Sequence, residues 1–410
     1  MKLAFVCFCI FAVACFHDAI LLNIYDGKDV TFCFWNVEKL SNSSIHPTAA
    51  SIVATAFSQH CKADVLALVG VRASSNQQSV GGYNFSKGEY HAVSFLQDVT
   101  ASVQKQQRAK GLWHFTVSPA LGPDVEHMAF AWNTVRLQST LPAAAKRGRL
   151  SSMPAFEPWA EVAGARVTGQ PGVAEAFSLS LESMASRSLL HDMGVQQPKI
   201  IQFTAWKGPS DHRAAATALR ALWQSPGFVD SRAKFGLLAA NTNIKSEEEW
   251  ESLSAELSES RQVLVEDIVS MGTTEGHSRA SRGGSKGAQA CSTIDCIMHL
   301  RPLQQALRGG RPASSTPEWL SGVGRSVRTC LQHWLKPRHL KERVVDIAEI
   351  VRRQKAFQQL ILPWLQAAQP SDAWALRQFS LGGKASHPVA QRAAKALSEH
   401  HLLKLSVPTV

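Results

Sequence analysis

The chain is poor in several residue types on which whole classes of function depend. Charged side chains make up 18% of its 410 residues and apolar ones 45%, which is too little charge and too much hydrophobicity for a disordered polymer. Its 8 cysteines form no C-x-x-C pair and no cluster with histidine, which excludes the common zinc modules. Cys7, Cys9 and Cys15 lie close to the N-terminus. Cys33, Cys61, Cys291, Cys296 and Cys330 remain, an odd set. Cys33 and Cys296 sit within apolar runs and read as buried thiols, while the oxidation state of all five stays open. Aromatics are 8% of the chain and sparse in its basic portion, which argues against a platform for stacking single-stranded bases. No internal repeat is present.

A long membrane-spanning run is also missing. The apolar stretch Leu3–Phe16, preceded by Lys2, has the length of a signal-peptide core and is too short to cross a bilayer alone. Residues 1–19 are therefore expected to be a signal peptide. With Leu21–Ile24 added they would form a signal anchor interrupted by His17 and Asp18. No arginine precedes Arg72, against a mitochondrial leader. The expected location is the secretory pathway or the exterior, with a membrane-anchored or organellar location as the alternative. Two sequons, at Asn42 and Asn84, fit secretion.

The net charge of +11 is unevenly placed. From Arg301 onward there are 17 Lys+Arg against 6 Asp+Glu, so the first 300 residues are neutral. An electrostatic partner, if there is one, belongs to that last quarter. Lys341, Arg343, Arg352, Arg353 and Lys355 share it with Val344, Ile347, Ile350, Val351 and Leu360 at roughly helical spacing, and Pro363 interrupts the pattern. This reads as a basic amphipathic helix pair over 340–368. It docks on the protein's own core, on a protein partner within a larger complex, on a nucleic acid or on an acidic membrane.

Strand-like runs recur at 30–37, 65–71, 128–137, 199–206, 235–241 and 294–300, bounded mostly by Gly, Pro, Asn or Asp. Helical patterns fall between them at 46–60, 211–224 and 246–259, and the alternation predicts an α/β domain. The Gly/Ser-rich stretch 272–289 and a second break at 308–317 read as loops.

Five segments in order, with two further ones, carry a resemblance to the endonuclease/exonuclease/phosphatase superfamily, the deoxyribonuclease-I-like fold. WNVEKL resembles its first motif, with Asn36 at the position that helps hold metal and phosphate. ADVLALVGVR resembles the second, with Gly70 where the family has its metal-binding Glu. EHMAFAWNTVRL is similar to a central strand, with Trp132 near a polar position. LLAANTNI resembles Gly-Asp-x-Asn, placing Asn241 at the general-base Asp and Asn243 at the transition-state Asn. STIDCI gives Asp295, whose counterpart supports the metal or the catalytic His. SDAWALRQFSL resembles the final Ser-Asp-His strand, with Ala373 at the His. IIQFTAWKG lacks the His of another strand, at Thr204 or Ala205.

The resemblance implies a two-sheet αββα sandwich over 20–300, a basic helical insertion over 301–370, a last strand over 371–382 and a C-terminal helical tail over 383–410. It also implies a chain without intact catalytic residues. Glycine offers a cation no ligand and Asn241 takes no proton at neutral pH, so no cofactor is expected, or Mg²⁺ if the chain is active. Asn36, Asn243 and Asp295 remain as pocket candidates, with Asn36 and Asp295 as the remaining metal candidates. The competing expectation is an active divalent-metal phosphodiesterase that recruits Glu38, Asp64, Asp211 or His299.

Overall fold

The structure of the chain, a computed structural model, describes residues 29–38, 40–41, 48–72, 79–80, 83–84, 89–107, 112–121, 126–139, 155–157, 166–168, 175–183, 200–209, 211–225, 228–230, 233, 235–244, 247–261, 268–271, 294–299, 343–382 and 387–407. The leader, Lys341 and the expected loops at 272–289 and 308–317 lie outside them.

The strands are β1 (Val30–Asn36), β2 (Val65–Arg72), β3 (Ser79–Val80), β4 (Tyr83–Asn84), β5 (Trp113–Val117), β6 (Glu126–Asn133), β7 (Leu137–Ser139), β8 (Ala155–Phe156), β9 (Arg166–Thr168), β10 (Ala176–Ser183), β11 (Ile200–Lys207), β12 (Phe235–Asn241), β13 (Ile268–Met271), β14 (Ile294–His299), β15 (Arg343–Val345) and β16 (Leu402–Val407). One sheet runs β15-β16-β1-β2-β6-β5-β8. The other runs β13-β14-β12-β11-β10-β7, with β9 beside β10. The helices are α1 (Ala49–Thr55, continuing as a π-turn over Ala56–Cys61), α2 (Glu89–Gln106), α3 (His212–Gln224), α4 (Glu247–Arg261), α5 (Ile347–Arg353), α6 (Lys355–Ala368), α7 (Pro370–Gly382) and α8 (His387–Leu397).

Period-two alternation assigns each strand residue to a layer. Phe32, Phe34, Val65, Ala67 and Val69 face Phe177, Leu179, Phe203, Leu237 and Ala239 in a core between the sheets. Phe32–Phe203 and Phe130–Phe177 put ring centroids 5.2 and 5.4 Å apart across it, pairs worth roughly 0.5–1.5 kcal/mol beyond area burial. The alternate residues Cys33, Trp35, Leu66 and Leu68 pack outward on α1, α2 and the C-terminal helices. Leu238 and Ala240 pack on α3 and α4. Both faces of each sheet are thus covered, which explains the unbroken apolar character of the central strands. The result is the expected αββα sandwich.

The C-terminal quarter departs from the expected division. Residues 371–382 are not a last strand. They fall within α7, where Ala373 and Leu376 are buried at a helical interval and Trp374 is 66% exposed. The last strand is β16, which pairs antiparallel with β1 from Val30↔Val407 to Phe34↔Leu403. The segment expected as a helical tail therefore ends inside a sheet. Nor is the described part of 301–370 an appendage. It begins with β15 on β16, and Ile347, Val351, Phe357, Ile361, Trp364 and Leu365 join the core under the first sheet. The expected helix pair is split at Gln354, and Pro363 lies inside α6 without ending it. Of the basic residues, Arg352 and Arg353 both pair with Glu349, and Lys355 is exposed.

Candidate active site

The strand ends meet at one rim of the sandwich. Parallel pairing sets Asn36 opposite Val69 and Lys207 opposite Asn241. Antiparallel pairing sets Asn241 opposite Asp295 and Arg72 opposite Glu126. The turn Ser398–His401 delivers β16 to the same rim. Ser398 Oγ donates to the Asn36 carbonyl at 2.8 Å and accepts from the His400 N–H at 3.0 Å. Trp35 Nε1 donates to the His400 carbonyl at 3.0 Å.

His400 is the residue that the sequence reading missed. The residues that lead into the strand beside β1 are Ser398-Glu399-His400 and not Ser371-Asp372-Ala373, so an imidazole stands at this rim, while Ala373 is a helix-core residue. His400 Nδ1 lies 2.8 Å from Asp295 Oδ2. A carboxylate can only accept, which assigns the proton to Nδ1. Burial pulls the imidazole pKa down, but the charge and hydrogen bond of Asp295 outweigh it, so the net shift is upward from 6.5. Lys207 opposes that rise, which places its ammonium within electrostatic reach of the ring.

Asp295 is fully buried. Its second oxygen, Oδ1, accepts from Asn241 Nδ2 at 2.7 Å. Both carboxylate oxygens are therefore engaged, Oδ2 with the histidine and Oδ1 with Asn241. Asn241 serves Asp295 as a donor; its Nδ2 also lies 3.3 Å from His400 Nδ1, which with its proton in place is a second donor to the same carboxylate and not an acceptor. Asn243 adopts a left-handed φ of 56° that asparagine tolerates, and its Nδ2 donates to the carbonyls of Gly208 and Pro209 at 2.5 and 3.0 Å. It ties the loop after β11 to the end of β12.

Gly70 sits in a β-bulge at the end of β2 with φ +69°. Ser41 Oγ spans the bulge, donating to the Gly70 carbonyl at 3.0 Å and accepting from Arg72 N at 2.9 Å. A Cβ at Gly70 would stand 2.5 Å from Asn36 Oδ1 and 3.2 Å from Glu38 Cβ. Asn36 Oδ1 accepts from the Glu38 N–H at 3.2 Å, while Nδ2 is buried with no hydrogen-bond partner among the described residues.

Beside this point lies a ring of four charges. Arg72 pairs with Glu38 and, through Nε, with Glu126 Oε1 at 3.3 Å. Lys207 Nζ is 2.5 Å from Glu126 Oε2 and 3.7 Å from Glu38 Oε2. Glu38 is the one alternative candidate placed at the site. Asp64 precedes the other end of β2, bound by the Thr31 N–H at 3.0 Å and Arg136, with burial pushing its carboxyl upward. His299 lies at the far end of β14 from Asp295, paired with Leu237, and Asp211 precedes α3. Thr204 and Ala205 are buried in β11 and Trp132 lies in the core between the sheets.

Magnesium needs oxygen ligands free to turn toward it. The residues present do not fit that need. Asp295 is committed, Gly70 has no side chain, and Glu38 and Glu126 are neutralised by Arg72 and Lys207. Among the described residues no group of three or more His, Cys, Asp or Glu side chains is arranged to hold a metal ion.

No family model matches the chain, and none of the curated proteins does. The solved structures similar to it are endonuclease/exonuclease/phosphatase family proteins. One is D. rerio TDP2 complexed with a single-strand DNA product, at 9% identity over 92% of this chain and 98% of that one, TM-score 0.37. Another is an endonuclease/exonuclease/phosphatase from Bacteroides vulgatus, at 8% identity over 66% and 87%, TM-score 0.36. A third is the human Nocturnin catalytic domain with bound sulfate, at 14% identity over 66% and 83%, TM-score 0.34. Scores of this size carry no argument alone. The deoxyribonuclease-I-like fold rests on the strand order and layering described above.

Proposed function

We propose that the chain is a catalytically silent deoxyribonuclease-I-like protein that acts by binding, as a module of a larger protein complex. The observation that carries this reading is Gly70. Where the resemblance expects a carboxylate there is a glycine, and its backbone holds a left-handed conformation with the Asn36 carboxamide against it. The surroundings of Asn241 argue the same way, because Asp295 takes a donor from it and a carboxylate there would face another carboxylate. Loss of one acid–base group costs about 10²–10⁴-fold, and loss of the metal carboxylate adds to it without simple multiplication.

The test is turnover. Purified protein is incubated with Mg²⁺ or Mn²⁺ and single-stranded DNA, duplex DNA, RNA or a phosphoinositide, beside His400→Ala. The expected result is no hydrolysis above that variant. Metal-stimulated hydrolysis that His400→Ala abolishes would establish the second reading, an active phosphodiesterase, which the intact His400–Asp295 pair favours.

For the binding surface, Trp374 on α7 is the most exposed large apolar side chain among the described residues, and Lys355 and Arg353 are exposed on the preceding helices. Secretion forms part of the same proposal. Glycosidase-sensitive mass at Asn42 or Asn84, with an N-terminus close to Ala19, is the expected finding in protein from a secretory host.

A further inference from the structure

The geometry points to Lys207 as a resident cation: its ammonium occupies the acidic corner of the cleft and closes it to divalent metal ions. This rests on the proposed silent reading and deepens it. Glu38 and Glu126 come from different strand ends and converge on one ammonium, at 3.7 and 2.5 Å. Arg72 holds the outer side of both carboxylates, so the ring is neutral as it stands. The Lys207 side chain is 19% exposed and that of Glu126 10%. An ion pair so placed is screened little by solvent and costs more to break than an exposed one.

The cation arrives by a definable route. Strand β11 ends at Lys207, and the chain turns at Gly208, where a Cβ would stand 2.5 Å from the Thr242 carbonyl. The Gly208 N–H donates to the Asn241 carbonyl at 2.6 Å. The end of β11 is therefore held against β12, and the lysine stem is aimed from a fixed backbone. A second observation lies beside the corner. Asn36 is 1% exposed, its Oδ1 turns to the Glu38 N–H, and its Nδ2 has no partner among the described residues. An amide nitrogen is a donor and repels a cation, so Asn36 presents its metal-binding atom to the backbone. A hard divalent ion needs several oxygens released to it, and every carboxylate oxygen near this corner already faces a positive group.

It follows that removing the ammonium frees one oxygen of each carboxylate, Glu38 Oε2 and Glu126 Oε2, leaves the ring with a net negative charge and opens the corner to metal. The experiment follows Mn²⁺ binding by the amplitude of the free-ion paramagnetic resonance signal and by the shift in melting temperature. It compares wild type, Lys207→Met and Lys207→Met/Glu126→Gln. Wild type is expected to leave the free Mn²⁺ signal and the melting temperature unchanged through millimolar metal. Lys207→Met, which keeps the apolar stem, is expected to bind with a Kd on the order of 10⁻³ M or tighter, at the weak end of oxygen-ligand sites. The double variant is expected to lose that binding. Sub-millimolar binding by wild type overturns the inference, as does a folded Lys207→Met that binds no more tightly than wild type. If Lys207→Met does not fold, carbon-13-labelled lysine in the wild type decides. Paramagnetic broadening of the Lys207 ε-carbon by low-millimolar Mn²⁺ refutes the closed corner, and an unbroadened signal supports it. No arm measures turnover, so a silent protein that nevertheless binds Mn²⁺ fails this inference while leaving the proposed function standing.

Discussion

Replacing Gly70 with alanine is the sharpest probe of the site's history. Two costs are built into the structure. A left-handed φ of +69° at a residue with a Cβ costs about 1–2 kcal/mol. The new methyl would stand 2.5 Å from Asn36 Oδ1, so the carboxamide must rotate. In doing so it gives up its bond from the Glu38 N–H, worth about 0.5–1.5 kcal/mol. Together these predict roughly 1.5–3.5 kcal/mol of destabilisation, read as a lower urea midpoint at unchanged slope. Asn36→Ala removes the obstructing oxygen. In that background Gly70→Ala should cost only its backbone share, about 1–2 kcal/mol, leaving a coupling of about 1 kcal/mol in the double-mutant cycle. A destabilisation below 1 kcal/mol, or equal costs in the two backgrounds, would refute the claim that this position has been reshaped around glycine. The same reasoning implies that Gly70→Glu alone does not build a metal site.

Other expectations are simpler to check. His400 should titrate above 6.5 by NMR, and Asp295→Asn should lower that value, since the carboxylate overcomes the burial that depresses it. Because the folded value is raised, its contribution to stability is complete below the unfolded imidazole value and is lost as pH rises through the folded one. The buried thiols Cys33, Cys61 and Cys296 should react with a thiol reagent only on unfolding. Burial first, and then Cys61, hold the Cys33 thiol well above its ordinary value, so alkaline pH should not expose it early. Trp374→Ser, on an exposed position, should change stability by no more than about 0.5 kcal/mol in urea unfolding.

The framework was legible where a strand carries its apolar signal on both faces. Strand β12 begins and ends where expected, at Phe235 and Asn241, and β1, β2, β11 and β14 agree with expectation within one or two residues at each end. Asn36, Gly70, Asn241 and Asp295 do share one rim, because motif order fixes strand order. The final motif was misplaced because Ser371-Asp372 precedes an apolar run just as a strand motif would. The distinguishing signal was period: Ala373 and Leu376 bury three apart while Trp374 is exposed, as a helix requires. In contrast, His400 is followed by Leu402, Leu403 and Leu405, a short run that fits a strand. Helix α2 was legible in Ala92, Val93, Leu96, Val99 and Val103, all of which are buried, yet the sequence reading left it unassigned. The charge ring was not legible at all. Glu126, Lys207, Arg72 and Glu38 are brought together by pairing across both sheets, and no local pattern announces an ion pair between residues 81 positions apart.

The placement of β16 has a consequence for how the molecule is made. Thr31 pairs with Ser406 across a separation of 375 residues, so during synthesis β1 can pair with β2 early but gains its other neighbour, β16, only hundreds of residues later. Until then the interior of the first sheet offers an open edge on β1, and closing so distant a contact is slow. Removing residues 400–410 would thus do more than trim an end. It would take out a central stave along with the imidazole that precedes it, leaving a nascent chain suited to chaperones and to aggregation rather than to work.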